Sequence, residues 1–200
     1  HTKWDFKTDL QDFKTKLSEP EQELIKRALL AIAQIEVAVK TFWGNLYDHF
    51  PKPEINSVGV TFAESEVRHE RAYSTIIDKL NMNEQYKKML EIPEIKGRVD
   101  YLQKYLANAG SNVKEKYVLT LTLFSLFIEN VSLFSQFLIV KSFNKHMKGL
   151  KDIDNVIMET AKEENIHAEL GAHLIKTIKY ENPEWFDDEF TEKIIRACKK

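Results

Sequence analysis

The chain has 200 residues, with 29 Lys and Arg against 31 Asp and Glu and a formal net charge of −2. That balance gives no general electrostatic attraction to nucleic acid or an anionic membrane, and 43% hydrophobic with 30% charged residues excludes a disordered or fibrous chain. One cysteine, Cys198, excludes an internal disulfide and suits a reducing, cytoplasmic setting.

Two hundred residues suit a single domain, 1–200, with a sizeable core. Six Gly and five Pro predict long helices with few turns. No signal peptide is visible. The chain opens at His1 without Met and stops at Lys200 inside a charged helical pattern, so a piece of a longer protein is expected.

Residues 1–17 lack strong periodicity and read as an irregular lead-in that packs Trp4 and Phe6 on the rest. Ser18, Pro20 and Glu21 form a helix start: a cap, a first-turn proline and an acid near the N-terminus. The first helix runs to about His49. Leu24, Ala28, Ala31, Ile32, Ile35, Val39 and Trp43 share a helical stripe, and Glu36 falls among them. Pro51 and Pro53 end it. A second helix, from about Val60 to Leu80, carries Glu66, His69 and Tyr73 on one stripe. Two shorter helices follow, near 84–90 and 95–109. Gly110 and Ser111 break the chain, with Ser111 as a cap.

The run Tyr117–Val140 holds a single formal charge, Glu129. It is long enough to span a bilayer. A glutamate at its middle would be expensive in lipid, so it reads as a central helix buried almost all round, continuing to Met147 and ended near Gly149. A buried carboxylate must be neutralised, paired or bound to metal. The fourth long helix, about 153–179, carries Glu164, His167 and His173, and a last helix follows Pro183. The architecture is all-α: a four-helix bundle with extra helices.

The order is Glu36, then Glu66-x-x-His69, then Glu129, then Glu164-x-x-His167. Bundles that hold two metal ions between their helices use this set. Four carboxylates and two imidazoles suit iron or manganese rather than structural zinc. By symmetry Glu66 and Glu164 bridge, Glu36 and His69 complete one ion, and Glu129 and His167 the other. Spare positions on each ion favour redox chemistry over hydrolysis. Glu64, Glu70, Glu159 and Glu169 lack a His three residues on and are expected in solvent or in surface pairs. His49 and His146 sit at helix ends and are expected to be exposed. Tyr73, seven after Glu66, falls two turns along the same face. It is either close to the ions or a core tyrosine with its hydroxyl satisfied.

The segment FAESEVRHERAYSTII resembles the signature of the small, radical-generating subunit of class I ribonucleotide reductase, a ferritin-like family. That signature reads Glu-x-x-His-x-x-x-Tyr, matched by Glu66, His69 and Tyr73. Glu129 in FIENVSLFSQF and Glu164-x-x-His167 match the other ligand helices, and the resemblance covers nearly the whole chain.

It implies a ferritin-like bundle with a dinuclear site, iron first, with manganese or a mixed pair as alternatives. It implies that oxygen is activated there and that Tyr73 becomes a stable radical. The oxidising equivalent then passes to a large subunit that reduces ribonucleotides to deoxyribonucleotides. Trp4 matches the family's relay tryptophan. Glu163 stands where the family usually has an Asp that serves the relay beside the metals. The family usually has Asp at the first ligand position, and members with Glu there, as with Glu36, include manganese–iron forms that usually lack the radical Tyr. The family's C-terminal tail, which docks the large subunit, has no counterpart here. A homodimer through the first two long helices and an activating flavoprotein are the further partners implied. The alternatives are a ligand-binding or desaturase-like di-metal oxidase, ferritin-like iron storage, and a bundle without metal.

Overall fold

The computed structural model describes residues 4–109, 114–147 and 149–199. Among these residues every regular element is helical. In chain order they are α1 (Lys7–Thr15), α2 (Glu19–Gly44), α3 (Pro53–Lys79), α4 (Asn83–Lys88), α5 (Pro93–Ala109), α6 (Lys114–Leu121), a π segment (Thr122–Ser132), α7 (Leu133–Met147), α8 (Lys151–Glu181) and α9 (Asp188–Cys198). The α6, π and α7 stretches run on without a break as one rod. This rod, α2, α3 and α8 form the bundle; α2 packs on α3, and the rod packs on α8 and α2.

The sequence expectations need four corrections. Residues 7–15 are a helix, not an irregular lead-in. The helix is tied down from outside: the buried Asp9 carboxylate accepts the amide of Ile153 at 2.7 Å, in the first turn of α8, and the Phe6 amide donates to Asp152. Phe6 is buried and Trp4 half-buried, as expected. Helix α3 starts at Pro53, before the expected Val60, because proline at the first helical position loses no hydrogen bond. On α2 Ala28, Ile32, Ile35, Val39 and Trp43 are buried as expected, but at the start of the stripe Ile25 is buried and Leu24 faces out. The break at Gly110 and Ser111 lies outside the described residues.

The start of α2 is as read. The Glu21 carboxylate accepts from both the amide and the hydroxyl of Ser18, at 2.8 and 2.7 Å. Its buried face then runs through Leu29, Ile32, Ile35, Val39 and Trp43. Each such side chain contributes about 1.5–3 kcal/mol on burial.

The rod is the fourth correction. It is not buried all round: Val131 and Leu138 are 55% and 67% exposed. The rod packs on α2 and α8 and also touches α5 and α9, while Val131 and Leu138 face out. The rod is also not a regular α-helix. Between Thr122 and Ser132 the turns widen, and the Leu133 amide reaches back five residues to the Ile128 carbonyl. Such turns are rare and usually mark functional sites. Glu129 stands on this segment.

Candidate metal centre

Six side chains meet in the middle of the bundle. Glu36 comes from α2, Glu66 and His69 from α3, Glu129 from the π segment, and Glu164 and His167 from α8. All six are buried, with no more than 5% of any residue exposed. The two pairs face inward because residues three apart share a helix face.

Two overlapping groups form. Glu36, Glu66, His69 and Glu164 have ligand atoms within 4.8 Å of one another, and so do Glu66, Glu129, Glu164 and His167. Glu66 and Glu164 belong to both, the positions that the sequence assigns as bridges. Nδ1 of His69 lies 3.4, 3.3 and 3.1 Å from Glu36, Glu66 and Glu164. Nδ1 of His167 lies 3.0, 3.6 and 3.1 Å from Glu66, Glu129 and Glu164. In each ring the same nitrogen turns to the carboxylates.

The residues present fit a pair of cations. Five buried carboxylate oxygens accept no hydrogen bond: both of Glu36, and one each of Glu66, Glu129 and Glu164. Buried acceptors left in that state are costly unless something else neutralises them. Without ions, protons take that part. Burial, then the neighbouring carboxylates, pushes Glu129 well above its usual range, and burial does the same to Glu36. Burial opposes charge on both histidines, but the facing carboxylates outweigh it, raising His69 well above normal and His167 to about 12. Burial also opposes charge on Glu66, yet its two histidine neighbours hold it down at about 2. Four carboxylates sharing two cationic rings form a site built for more positive charge than the chain supplies.

A second layer holds these groups. The Trp43 indole donates to Glu129 at 2.6 Å. Glu163 bonds Nε2 of His69 at 2.8 Å, and Arg68 donates to its other oxygen at 3.0 Å. Ser65 meets Nε2 of His167 at 3.1 Å. The Tyr73 hydroxyl donates to Thr160 Oγ1 at 3.3 Å. Tyr73 is fully buried, and burial, followed by the Glu36 charge, keeps its phenol protonated. Trp4 lies half-buried against the core, and among the described residues no hydrogen bond joins it to Glu163. Gly171, one turn beyond His167, lets the π segment approach α8: a Cβ there would overlap Ser125 Oγ and Cβ.

The four acids expected in solvent or surface pairs are found so. Glu64 pairs with Arg68, Glu70 with Lys40, Glu159 with Lys162, and Glu169 accepts from Asn165. His146 is exposed as expected. His49 is not: it is half-buried, stacked on Tyr117 with ring centroids 3.7 Å apart. Sequence reasoning missed Trp43, Ser65, Thr160 and Arg68 as members of the layer. Two signals were available: Trp43 stands seven after Glu36, and Thr160 four before Glu164.

With that geometry established, the comparisons with known proteins decide the family. The family model of the ribonucleotide reductase small chain matches residues 1–200. The chain belongs to this family. A protein of Invertebrate iridescent virus 3 named as a ribonucleoside-diphosphate reductase small subunit is 27% identical over 202 residues, covering 91% of this chain and 53% of that protein. Its counterpart in Invertebrate iridescent virus 6 is 30% identical, covering 87% and 51%. A ribonucleoside-diphosphate reductase subunit beta from Chlamydia pneumoniae is 24% identical, covering 92% and 56%. The chain thus spans about half the length of the curated relatives it matches.

Two solved structures share the small-chain fold. One, assigned to class I ribonucleotide reductase and from Bacillus halodurans, superposes with a TM-score of 0.86 at 16% identity, covering 97% of this chain and 71% of that one. The other, an R2-like ligand-binding oxidase from Sulfolobus acidocaldarius, gives 0.69 at 23% identity, covering 96% and 71%. Together with the helical architecture they establish a ferritin-like bundle whose core carboxylates and histidines could hold a dinuclear metal site.

Proposed function

We propose that the chain is the radical-generating part of a ribonucleoside-diphosphate reductase small subunit. One observation carries this reading. A buried carboxylate–histidine cluster that could hold two ions draws Glu66 and His69 from α3, and the same helix carries a fully buried tyrosine two turns from Glu66.

Glu36 and His69 would hold one ion, Glu129 and His167 the other, and Glu66 and Glu164 both. Oxygen and imidazole donors without thiolate favour iron, with manganese or a mixed pair as the alternative loading. Such a pair, when bound, supplies oxygen activation and one-electron oxidising power. Tyr73 holds the hydrogen to be given up. Its Oη–H points at Thr160 Oγ1, and burial keeps the proton on oxygen until electron and proton leave together. Full burial then shields the phenoxyl from water and reductants. Glu163 orients His69 and reaches the surface, its side chain 38% exposed. It would thereby serve a path for charge between the cluster and the exterior, and the family resemblance alone proposes Trp4 as a member of that path.

The family supports a large catalytic subunit as the recipient of the oxidising equivalent, with ribonucleotide reduction taking place there. A homodimer through α2 and α3, a cytoplasmic setting and, for manganese loading, an activating flavoprotein complete the proposal. Its test is low-temperature electron paramagnetic resonance after ferrous iron and air are added to the parent and to Tyr73→Phe. A tyrosyl signal in the parent and none in the variant supports the reading. Oxidised iron with no radical in the parent, under iron or manganese loading, would favour an oxidase on the same scaffold.

A further inference from the structure

The two histidines have the same inner environment and different outer ones. Nδ1 of each faces the carboxylates, so Nε2 of each points away. Behind His69 stands a carboxylate, Glu163, at 2.8 Å. Behind His167 stands a hydroxyl, Ser65, at 3.1 Å. A hydroxyl has one proton to give. Ser65 donates its own to the Phe62 carbonyl at 2.8 Å. Its oxygen can therefore only accept from His167, and the proton between them sits on Nε2. Two aromatic rings lie against the imidazole: Phe62 at 4.2 Å and Trp43 at 5.5 Å, centroid to centroid.

We propose that Ser65 is the positioning residue of His167. Its hydroxyl holds the Nε2–H, which leaves the Nδ1 lone pair aimed into the Glu66–Glu129–Glu164 group. Partners behind a ligating histidine fix its tautomer and tune its donor strength. A carboxylate raises that strength more than a neutral hydroxyl does. The two ion positions are therefore unequal, although their inner residues match one for one. The asymmetry lies in Ser65 and Glu163, each adjacent in sequence to a bridging glutamate, Glu66 and Glu164.

This inference rests on the two-ion reading, and its test separates the two. The full chain is titrated with Co(II), followed by its visible spectrum and by proton NMR in water. The parent should bind two Co(II) and show two shifted, slowly exchanging imidazole N–H signals. Ser65→Ala should bind one Co(II) as the parent does and the other about 10–100-fold more weakly. One N–H signal should be lost to fast exchange. Ser65→Thr, which keeps the acceptor, should restore both, whereas Glu163→Ala should remove the opposite signal. Circular dichroism shows whether each variant is folded. Two parental affinities and both slow N–H signals in a folded Ser65→Ala would overturn the role of Ser65 alone. A parent that takes up no Co(II) would overturn the two-ion reading and this inference with it.

Discussion

Gly171 on α8 approaches Ser125 on the π segment closely, one turn from His167 and from Glu129, and a substitution there tests how packing holds the ligands in place. An alanine at 171 would place its methyl inside both Oγ and Cβ of Ser125. Rotating the serine cannot clear the overlap, because Cβ does not move with χ1. Moving α8 off the π segment by on the order of 1 Å can. Overpacking of this kind costs about 1–3 kcal/mol. For a chain of this size that lowers the melting temperature by roughly 2–12 °C. The same movement would separate Glu164 and His167 on α8 from Glu129 on the π segment, so ion binding at the second group should weaken. Ser125 Cα lies 3.7 Å from the added carbon, an ordinary contact. Ser125→Gly should therefore rescue ion binding in the double variant, and Ser125→Ala should not. Scanning calorimetry and metal titration read both. Parental melting and parental ion binding in Gly171→Ala would refute the packing argument. So would full rescue by Ser125→Ala.

Two further predictions follow from the cluster. Folded metal-free protein binds more protons than the unfolded chain above about pH 4.5, because Glu36 and Glu129 are raised above 4.5, His69 is raised above 6.5, and His167 is raised to about 12. Stability held by the protonated histidines is complete below their unfolded value and is lost as pH rises, so metal-free protein should melt lower at about pH 9 than at about pH 6. Loading with Mn(II) should stabilise the protein more at the higher pH, since ions and protons compete for the same atoms; calorimetry showing a rise in metal-free melting over that range would contradict this. Thr160→Val removes the only hydrogen-bond partner that the Tyr73 hydroxyl has among the described residues. It should keep the tyrosyl signal and change its g-values, as high-field resonance would register; unchanged g-values would show that the bond is absent in the working protein.

Much of the fold was legible because the signals were long and periodic. Glu36, Glu66, Glu129 and Glu164 were conspicuous as charges on apolar stripes, and two of them carried a histidine at helical spacing. What the sequence hid depends on contacts between distant residues. Helix α1 is marginal by local pattern and is anchored by Asp9 on the first turn of α8. The π segment shows no local marker in LTLFSLFIENVS; it goes with tight packing on α8 at Gly171, which only the fold brings near. Ser65 and Arg68 carry no mark in the sequence that sets them apart from other polar residues on a helix. Their importance comes from the opposite helix, where His167 and Glu163 stand.

On the proposed reading, six buried side chains would hold two ions, with Glu66 and Glu164 shared. Anomalous diffraction from crystals grown with Fe(II) or Mn(II), recorded above the metal edge, tests it directly. The account predicts two peaks, one beside Glu36 and His69 and one beside Glu129 and His167, both in contact with Glu66 and Glu164. A single peak at full occupancy, or two peaks that share neither glutamate, would contradict it.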